Sequence, residues 1–221
     1  MENTKEPAFN APPATLYAVA SLIVIHILLI VTSADTLNWV FQSFAFHIGQ
    51  FSAALDNPSL AGAVAVFFQL NSHLFLHHDF MHLLMNASML LAFGSAVERS
   101  YGKVGFFILF FVGGWAGALF EYGLGSSDAS SILYGASGAV FGMMGATTRI
   151  LLPRFGLSKV LAFAGVMMAL NLIIGLTPIG NLLTGGDATI SWAAHLGGFI
   201  VGVVLAFVLP MNMIGAQKST W

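Results

Sequence analysis

Long apolar stretches separated by short polar segments recur along this chain. Six of them are long enough to cross a hydrocarbon core of roughly 30 Å as helices. Their approximate bounds are Leu16–Thr32, Phe80–Val97, Val104–Gly123, Ile132–Leu152, Val160–Leu176 and Ile190–Leu209. The pattern predicts an all-α polytopic membrane protein, a bundle of six transmembrane helices that we number spans one to six. The predicted organisation is a short tail (residues 1–15), one membrane domain (16–210) and a second short tail (211–221).

The composition is typical of an integral membrane protein. Hydrophobic residues occupy 57% of the 221 positions and charged residues only 7%, and the mean hydropathy is +0.87. A soluble domain carries about 25% charged residues. No basic cluster indicates a nucleic-acid partner. Because the chain has no cysteine, disulfides and thiolate metal sites are excluded.

The basic residues predict which loops face the cytoplasm. Lysine and arginine concentrate in cytoplasmic loops, and all seven basic residues fall on one side of the six-span arrangement. They are Lys5, Arg99, Lys103, Arg149, Arg154, Lys159 and Lys218. We therefore expect both termini in the cytoplasm and the acidic loops outside.

Two segments allow a second interpretation. Span one could be a signal peptide, because Lys5 precedes it and Thr32-Ser33-Ala34 resembles a cleavage site. The long first outer loop, residues 33–79, contains the apolar stretch Leu60–Leu70, which is too short to cross the membrane. We expect this stretch to lie partly in the outer leaflet; the alternative is a disordered loop.

A serine and a histidine occupy equivalent places in spans four and six. Ser137 lies five residues after Ile132, and His195 lies five residues after Ile190. Both spans run from outside to inside, and a rise of about 1.5 Å per residue places each side chain roughly 7 to 8 Å below the start of its span. A hydroxyl and an imidazole at one depth can form a hydrogen bond, which points to nucleophilic catalysis where water is scarce.

Further polar residues lie at the head of span two, in the same leaflet. His82 and Asn86 are four residues apart, which puts them on one helix face. Because polar groups exposed to lipid are costly, we expect this face to point into the bundle or a water-filled cavity.

Small residues favour close packing of spans four and six. The glycines concerned are Gly138, Gly142 and Gly145 in span four and Gly197, Gly198 and Gly202 in span six. Such spacing permits near backbone contact between membrane helices. Close packing would bring Ser137 against His195.

A metal site is a separate possibility at the head of span two. The run from His78 to His82 has the spacing of a zinc-binding H-E-x-x-H motif, with Asp79 in place of glutamate. Two histidines at this spacing could hold zinc with Asp79 as the base, provided that a third ligand came from elsewhere.

Taken together, these residues resemble the rhomboid family of intramembrane serine proteases. The resemblance covers nearly all of the chain from span one to span six. It is carried by His77-x4-His82-x3-Asn86, Gly94-Ser95-Ala96-Val97-Glu98-Arg99, Gly135-Ala136-Ser137-Gly138, and Ala194-His195-Leu196-Gly197-Gly198 followed by Gly202.

The resemblance implies a role for each site residue. Ser137 would be the nucleophile and His195 the general base of a dyad without a carboxylate. The Ser137 backbone amide, His82 and Asn86 would line an oxyanion hole, and Glu98 would be structural near the cytoplasmic face. Phe141 stands where the family often has a tyrosine packed on the catalytic imidazole. The remaining residues that would pack the active site are Gly135, Gly138, Gly198 and Gly202.

We therefore expect an intramembrane serine endopeptidase that needs no cofactor. It would cleave single-span membrane proteins near their outer end, in the lipid bilayer of a bacterial cell membrane, at a site open to the outer face. The alternatives are a non-catalytic rhomboid-like protein that binds membrane helices and a zinc-dependent intramembrane protease. The sequence predicts no particular oligomeric state.

Overall fold

A computed structural model of the chain describes residues 11–125, 128–179 and 190–212, which are mostly helical. The helices and strands are α1 (Pro13–Ile30), α2 (Ala34–Phe44), β1 (Phe46–His47), α3 (Ile48–Asp56), α4 (Leu60–Ser72), α5 (Phe80–Met89), α6 (Ser95–Leu124), β2 (Ile132–Leu133), α7 (Ser137–Phe155), α8 (Leu157–Leu176) and α9 (Trp192–Val208). A 3₁₀ turn (His73–Phe75) follows α4, and a π-helical segment (Leu90–Gly94) joins α5 to α6. Lys5, Lys218 and most of both predicted tails lie outside the described residues.

Within the part of the chain that the structure describes, three helical stretches are long and apolar enough to cross a membrane: α1, the continuous stretch Phe80–Leu124, and α8. The second of these contains a reversal at Gly102, where φ is 72° and ψ is 179°, a backbone conformation that glycine adopts without steric cost. Gly94 and Phe106 would be about 18 Å apart along one straight helix. Instead, a Cβ placed on Gly94 would lie 3.0 Å from Phe106 Cε2. The two arms therefore fold back on each other, as expected for spans two and three.

The predicted start of span four is wrong. Ile132–Leu133 is not helical but pairs with Phe46–His47 as a short antiparallel ladder. Helix α7 begins at Ser137, and α9 begins at Trp192, so the helical rise from Ile132 or Ile190 does not set the depth of Ser137 or His195. Short apolar runs read alike in strands and helices, which is why hydropathy alone misplaced this boundary.

Helix α7 packs closely against α6 and α9 through glycines. A Cβ on Gly142 would lie 3.1 Å from Gly113 Cα. A Cβ on Gly198 would overlap the carbonyl oxygen of Gly138, and one on Gly202 would overlap that of Gly142. The predicted close approach of spans four and six is therefore confirmed.

The first helix is an integral part of the bundle. The Glu98 carboxylate of α6 accepts hydrogen bonds from Ala14 N (3.0 Å), Thr15 N (2.7 Å) and Thr15 Oγ1 (2.9 Å). A buried carboxylate thereby satisfies amides that the first turn of α1 cannot pair internally. Leu22 is fully buried in the core. These contacts favour a structural helix over a signal peptide and agree with the expected structural role of Glu98.

The end of α9 lies at the same end of the bundle as the reversal at Gly102 and the end of α7. The Tyr101 hydroxyl, beside the Gly102 reversal, donates to Ala206 O over 3.2 Å. The Arg149 guanidinium, in the last part of α7, donates to the same carbonyl oxygen. The 102 reversal and the end of α7 therefore lie on the same side as the end of α9.

The segment predicted to be the first outer loop is folded as three helices and a strand. Ser72 Oγ donates to Phe44 O over 2.7 Å, which ties the end of α4 to the end of α2. Leu60, Val64 and Phe67 of α4 are exposed, as expected for a helix that lies against lipid. The disordered alternative is wrong for the described loop, while a place for α4 in the outer leaflet stays a prediction.

Candidate active site

The backbone that leads into α7 requires glycine at position 135. Gly135 has a φ of 112°, and its amide donates to His73 O over 2.8 Å. A Cβ at this position would lie 2.8 Å from His82 Cε1 and Nε2. The turn delivers Ser137 as the first residue of α7. The amides of a first helical turn have no partner within the helix and favour negative charge.

His195 is held against the helix that carries Ser137. Its imidazole stacks on Phe141, one turn beyond Ser137, with ring centroids 4.1 Å apart and planes 5° from parallel. The histidine is buried. The aromatic stack implied by the resemblance is therefore present without a tyrosine hydroxyl.

A glycine of α6 brings the two helix heads together. A Cβ on Gly117 would lie 3.1 Å from Ala194 O and 3.2 Å from Gly138 Cα, so the neighbours of His195 and Ser137 meet at one point. Among the described residues, the Ser137 hydroxyl makes no hydrogen bond, so the anticipated bond to His195 is not formed in this structure. Catalytic hydrogen bonds commonly tighten only when substrate is bound.

His82 and Asn86 lie on the inner face of α5. The His82 ring packs on Gly135, two residues before Ser137. Asn86 is 5% exposed, and its Nδ2 donates to His82 O over 2.9 Å. The structure thus brings His82 to the turn that precedes Ser137. The Asn86 amide uses one of its two N–H groups in a hydrogen bond within its own helix.

His77 supports the turn before Ser137, a role that the spacing of the motif did not reveal. Its Nε2 lies 3.5 Å from Ala136 N, and its carbonyl oxygen accepts from His26 Nδ1 over 3.1 Å. The residue lies in the loop before α5, where burial above all, together with the neighbouring His82, lowers the pKa of His77 to about 3. His77 is therefore neutral at physiological pH.

The zinc-like run at the head of α5 is used for helix capping. Asp79 Oδ1 accepts from His82 N over 2.8 Å, as expected of an N-cap aspartate. Its other oxygen is 3.9 Å from His78 Nδ1. Within residues 11–125, 128–179 and 190–212, no group of three histidine, cysteine, aspartate or glutamate residues is placed to hold a metal ion.

Two further residues at the site were missed from the sequence. Tyr134 lies between α2 and α5, with its ring 5.1 Å from that of Phe41 and 6.0 Å from that of His82. Asn171 of α8 places Oδ1 2.7 Å from His195 Nδ1. A polar amide in an apolar span is a signal of function or packing, although its partner cannot be read from the sequence.

Fold and site together define a polytopic helical membrane protein that buries a histidine beside a serine at a helix N-terminus. The model of the Rhomboid domain family matches residues 65–212, more than half of the chain. This chain belongs to the rhomboid family, whose proteases are intramembrane serine proteases.

The relatives of this chain include plant and bacterial proteins. RHOMBOID-like protein 5 of Arabidopsis thaliana is 34% identical over 144 residues, which are 65% of this chain and 44% of the plant protein. YdcA of Bacillus subtilis (strain 168) is 28% identical over 171 residues, 77% of this chain and 81% of its own. Rhomboid protease AarA of Providencia stuartii is 31% identical over 149 residues, 59% and 52% of the two chains. The chain thus spans less than half the length of the plant relative and about half that of AarA.

Proposed function

We propose that this protein is an intramembrane serine endopeptidase with Ser137 as its nucleophile and His195 as its general base. The observation that carries the proposal is the stack of His195 on Phe141, which holds the imidazole one helical turn from Ser137. A serine at a helix N-terminus beside a neutral imidazole is the arrangement that nucleophilic catalysis needs.

The reaction would proceed through an acyl-enzyme. Ser137 Oγ attacks the scissile carbonyl carbon while His195 Nε2 takes the hydroxyl proton, and the imidazolium then gives this proton to the leaving amine. Water next attacks the ester carbonyl, with His195 again taking and returning a proton, so that Ser137 is regenerated and the carboxyl product leaves.

The developing oxyanion would be stabilised from two helices. The Ser137 amide lies at the positive end of α7, and His82 packs on the same turn. Asn86 keeps a second Nδ2 hydrogen available for an acceptor. Each such donor contributes on the order of 3 kcal/mol to transition-state stabilisation.

The proposed topology has six spans, with the membrane domain at residues 16–210 between short tails. The basic residues Arg99, Lys103, Arg149, Arg154 and Lys159 flank the turns at Gly102 and Gly156. Because cytoplasmic loops carry the excess of lysine and arginine, these turns would face the cytoplasm. Ser137 and His195 would then open to the outer face of a bacterial cell membrane, with both termini inside.

The proposed substrates are single-span membrane proteins cleaved near their outer end. A peptide carbonyl within a helix is already hydrogen-bonded, so the substrate segment must unwind before Ser137 can attack it. Glycine and other helix-weakening residues near the scissile bond lower the cost of unwinding by up to about 1 kcal/mol each. We therefore expect such segments to be preferred.

The proposal is tested by incubating the purified protein in proteoliposomes with a set of single-span reporter proteins. Cleavage is expected with wild type and is lost in Ser137→Ala and His195→Ala. Ser21→Ala is the matched control, because among the described residues the Ser21 hydroxyl bonds only to Tyr17 O on its own helix. Cleavage that survives Ser137→Ala but stops with a chelator would contradict the serine mechanism, and binding of reporters without cleavage would favour a non-catalytic helix-binding protein.

A further inference from the structure

Asn171 is a buried amide on an otherwise exposed helix. Val160 and Asn171 are the two buried residues of α8, and Asn171 is 4% exposed. Most other side chains of this helix are apolar and face outward. A polar group in such a position is costly unless its hydrogen bonds are satisfied. The hydrogen-bond partners of the Asn171 amide therefore indicate its role.

Both ends of the Asn171 amide contact α9. Nδ2 donates to Trp192 O over 3.0 Å, which fixes the amide orientation and turns Oδ1 toward His195. The distance from Oδ1 to His195 Nδ1 is 2.7 Å. An amide oxygen only accepts hydrogen bonds, so the proton of this bond must be on Nδ1 of the imidazole.

The position of that proton decides whether His195 can act as a base. A neutral imidazole carries one proton, so protonated Nδ1 leaves Nε2 with a free lone pair. The stack on Phe141 sets the plane of the ring, but it is indifferent to which nitrogen is protonated. The Asn171 contact is thus the one described interaction of His195 that distinguishes its two ring nitrogens.

We propose that Asn171 is a positioning residue that holds His195 in the tautomer whose Nε2 can take the Ser137 proton. It occupies the place that a carboxylate has in a Ser-His-Asp triad, and it supplies orientation without a negative charge. This inference rests on the proposed function, because the tautomer matters only if His195 receives the serine proton.

Three variants separate this role from a structural one. Asn171→Leu keeps the shape but removes the acceptor, and Asn171→Asp keeps an acceptor oxygen in either protonation state. Asn71→Leu is the matched control, because Asn71 also joins two helices, accepting from Trp115 Nε1 over 3.3 Å, and among the described residues it shares no hydrogen-bond partner with His195. Each purified variant is first checked for a wild-type thermal unfolding profile.

The first readout is the rate of labelling by a fluorophosphonate, which reports serine reactivity without a known substrate. We expect Asn171→Leu to label about tenfold or more slowly, because loss of the orienting partner of a catalytic histidine impairs the base. Asn171→Asp should label several times faster than Asn171→Leu. Asn71→Leu should stay within about twofold of wild type, as expected for a residue that shares no hydrogen-bond partner with His195. A wild-type rate in folded Asn171→Leu would overturn the inference.

The second readout is the tautomer itself, measured by nitrogen NMR on histidine-labelled protein, with His195→Ala used to assign the signals. We expect His195 to be protonated on Nδ1 in wild type and to become a mixture of tautomers in Asn171→Leu. Protonation of wild-type His195 on Nε2 would overturn the inference. Because this readout needs no reaction, it decides the role of Asn171 even if wild type does not label, a result that would overturn the proposed function alone.

Discussion

The ring of Phe141 lies flat on the imidazole of His195, with centroids 4.1 Å apart and planes 5° from parallel. Phe141 follows Ser137 by one turn of α7. The helix that begins with Ser137 therefore also supplies the ring on which His195 packs. The geometry between them depends on the packing of α7 against α9 rather than on a loop.

Removing the ring of Phe141 should therefore weaken the proposed catalysis. Aromatic pairs contribute about 0.5–1.5 kcal/mol beyond the burial of their surface. We expect Phe141→Ala to reduce the fluorophosphonate labelling rate by about three- to tenfold, while Phe141→Tyr keeps the stack and labels like wild type. Equal rates for folded Phe141→Ala and wild type would show that the stack does not orient His195.

The proposed active site also requires α7 and α9 to pack closely. Their backbones approach each other so closely that the contact positions leave no room for a side chain. A Cβ on Gly202 would overlap the carbonyl oxygen of Gly142, so Gly202→Ala should separate the helices, lower thermal stability and abolish labelling. Gly165→Ala is the control, because no atom of the described residues lies within 4 Å of a Cβ at that position of α8. Wild-type stability and labelling in Gly202→Ala would contradict this packing of α7 on α9.

Replacing Glu98 should lower the stability of the fold without removing a catalytic group. Its carboxylate accepts three hydrogen bonds from Ala14 and Thr15. Hydrogen bonds to a charged group contribute about 1.5–3 kcal/mol, so Glu98→Ala should reduce the free energy of unfolding by at least about 2 kcal/mol. Thr15→Val, which removes the hydroxyl donor alone, should have a smaller effect. An unchanged unfolding midpoint for Glu98→Ala would refute this role.

His77 should make the fold sensitive to acid. Its pKa is about 3 in the folded protein, below the ordinary value of 6.5, so between these values the unfolded chain binds more protons than the folded one. Stability is then highest above pH 6.5 and falls as the pH decreases from 6.5 toward 3. In His77→Gln the melting temperature should fall less steeply over this range. Parallel curves for the variant and wild type would rule out His77 as a source of the acid sensitivity.

The sequence predicted a bundle of apolar helices and a set of candidate site residues, whose catalytic roles stay a prediction, but not all of their geometry. Apolar length and the clustering of His82, Asn86, Ser137 and His195 follow from simple physical requirements of a membrane interior. The pairing of Ile132–Leu133 with β1 was missed because it depends on a strand some 85 residues away in sequence. Asn171 was missed for a similar reason, since its hydrogen bond to His195 exists only through the packing of α8 on α9.

The most direct test of the proposed serine chemistry is whether Ser137 forms a covalent adduct. Purified wild type, Ser137→Ala and His195→Ala would be treated with a fluorophosphonate, and the labelled peptide would be identified by mass spectrometry, with thermal unfolding as the folding control. We expect one adduct on Ser137 in wild type and none in either variant. An adduct on another serine, or no adduct in well-folded wild type, would contradict the proposed serine chemistry.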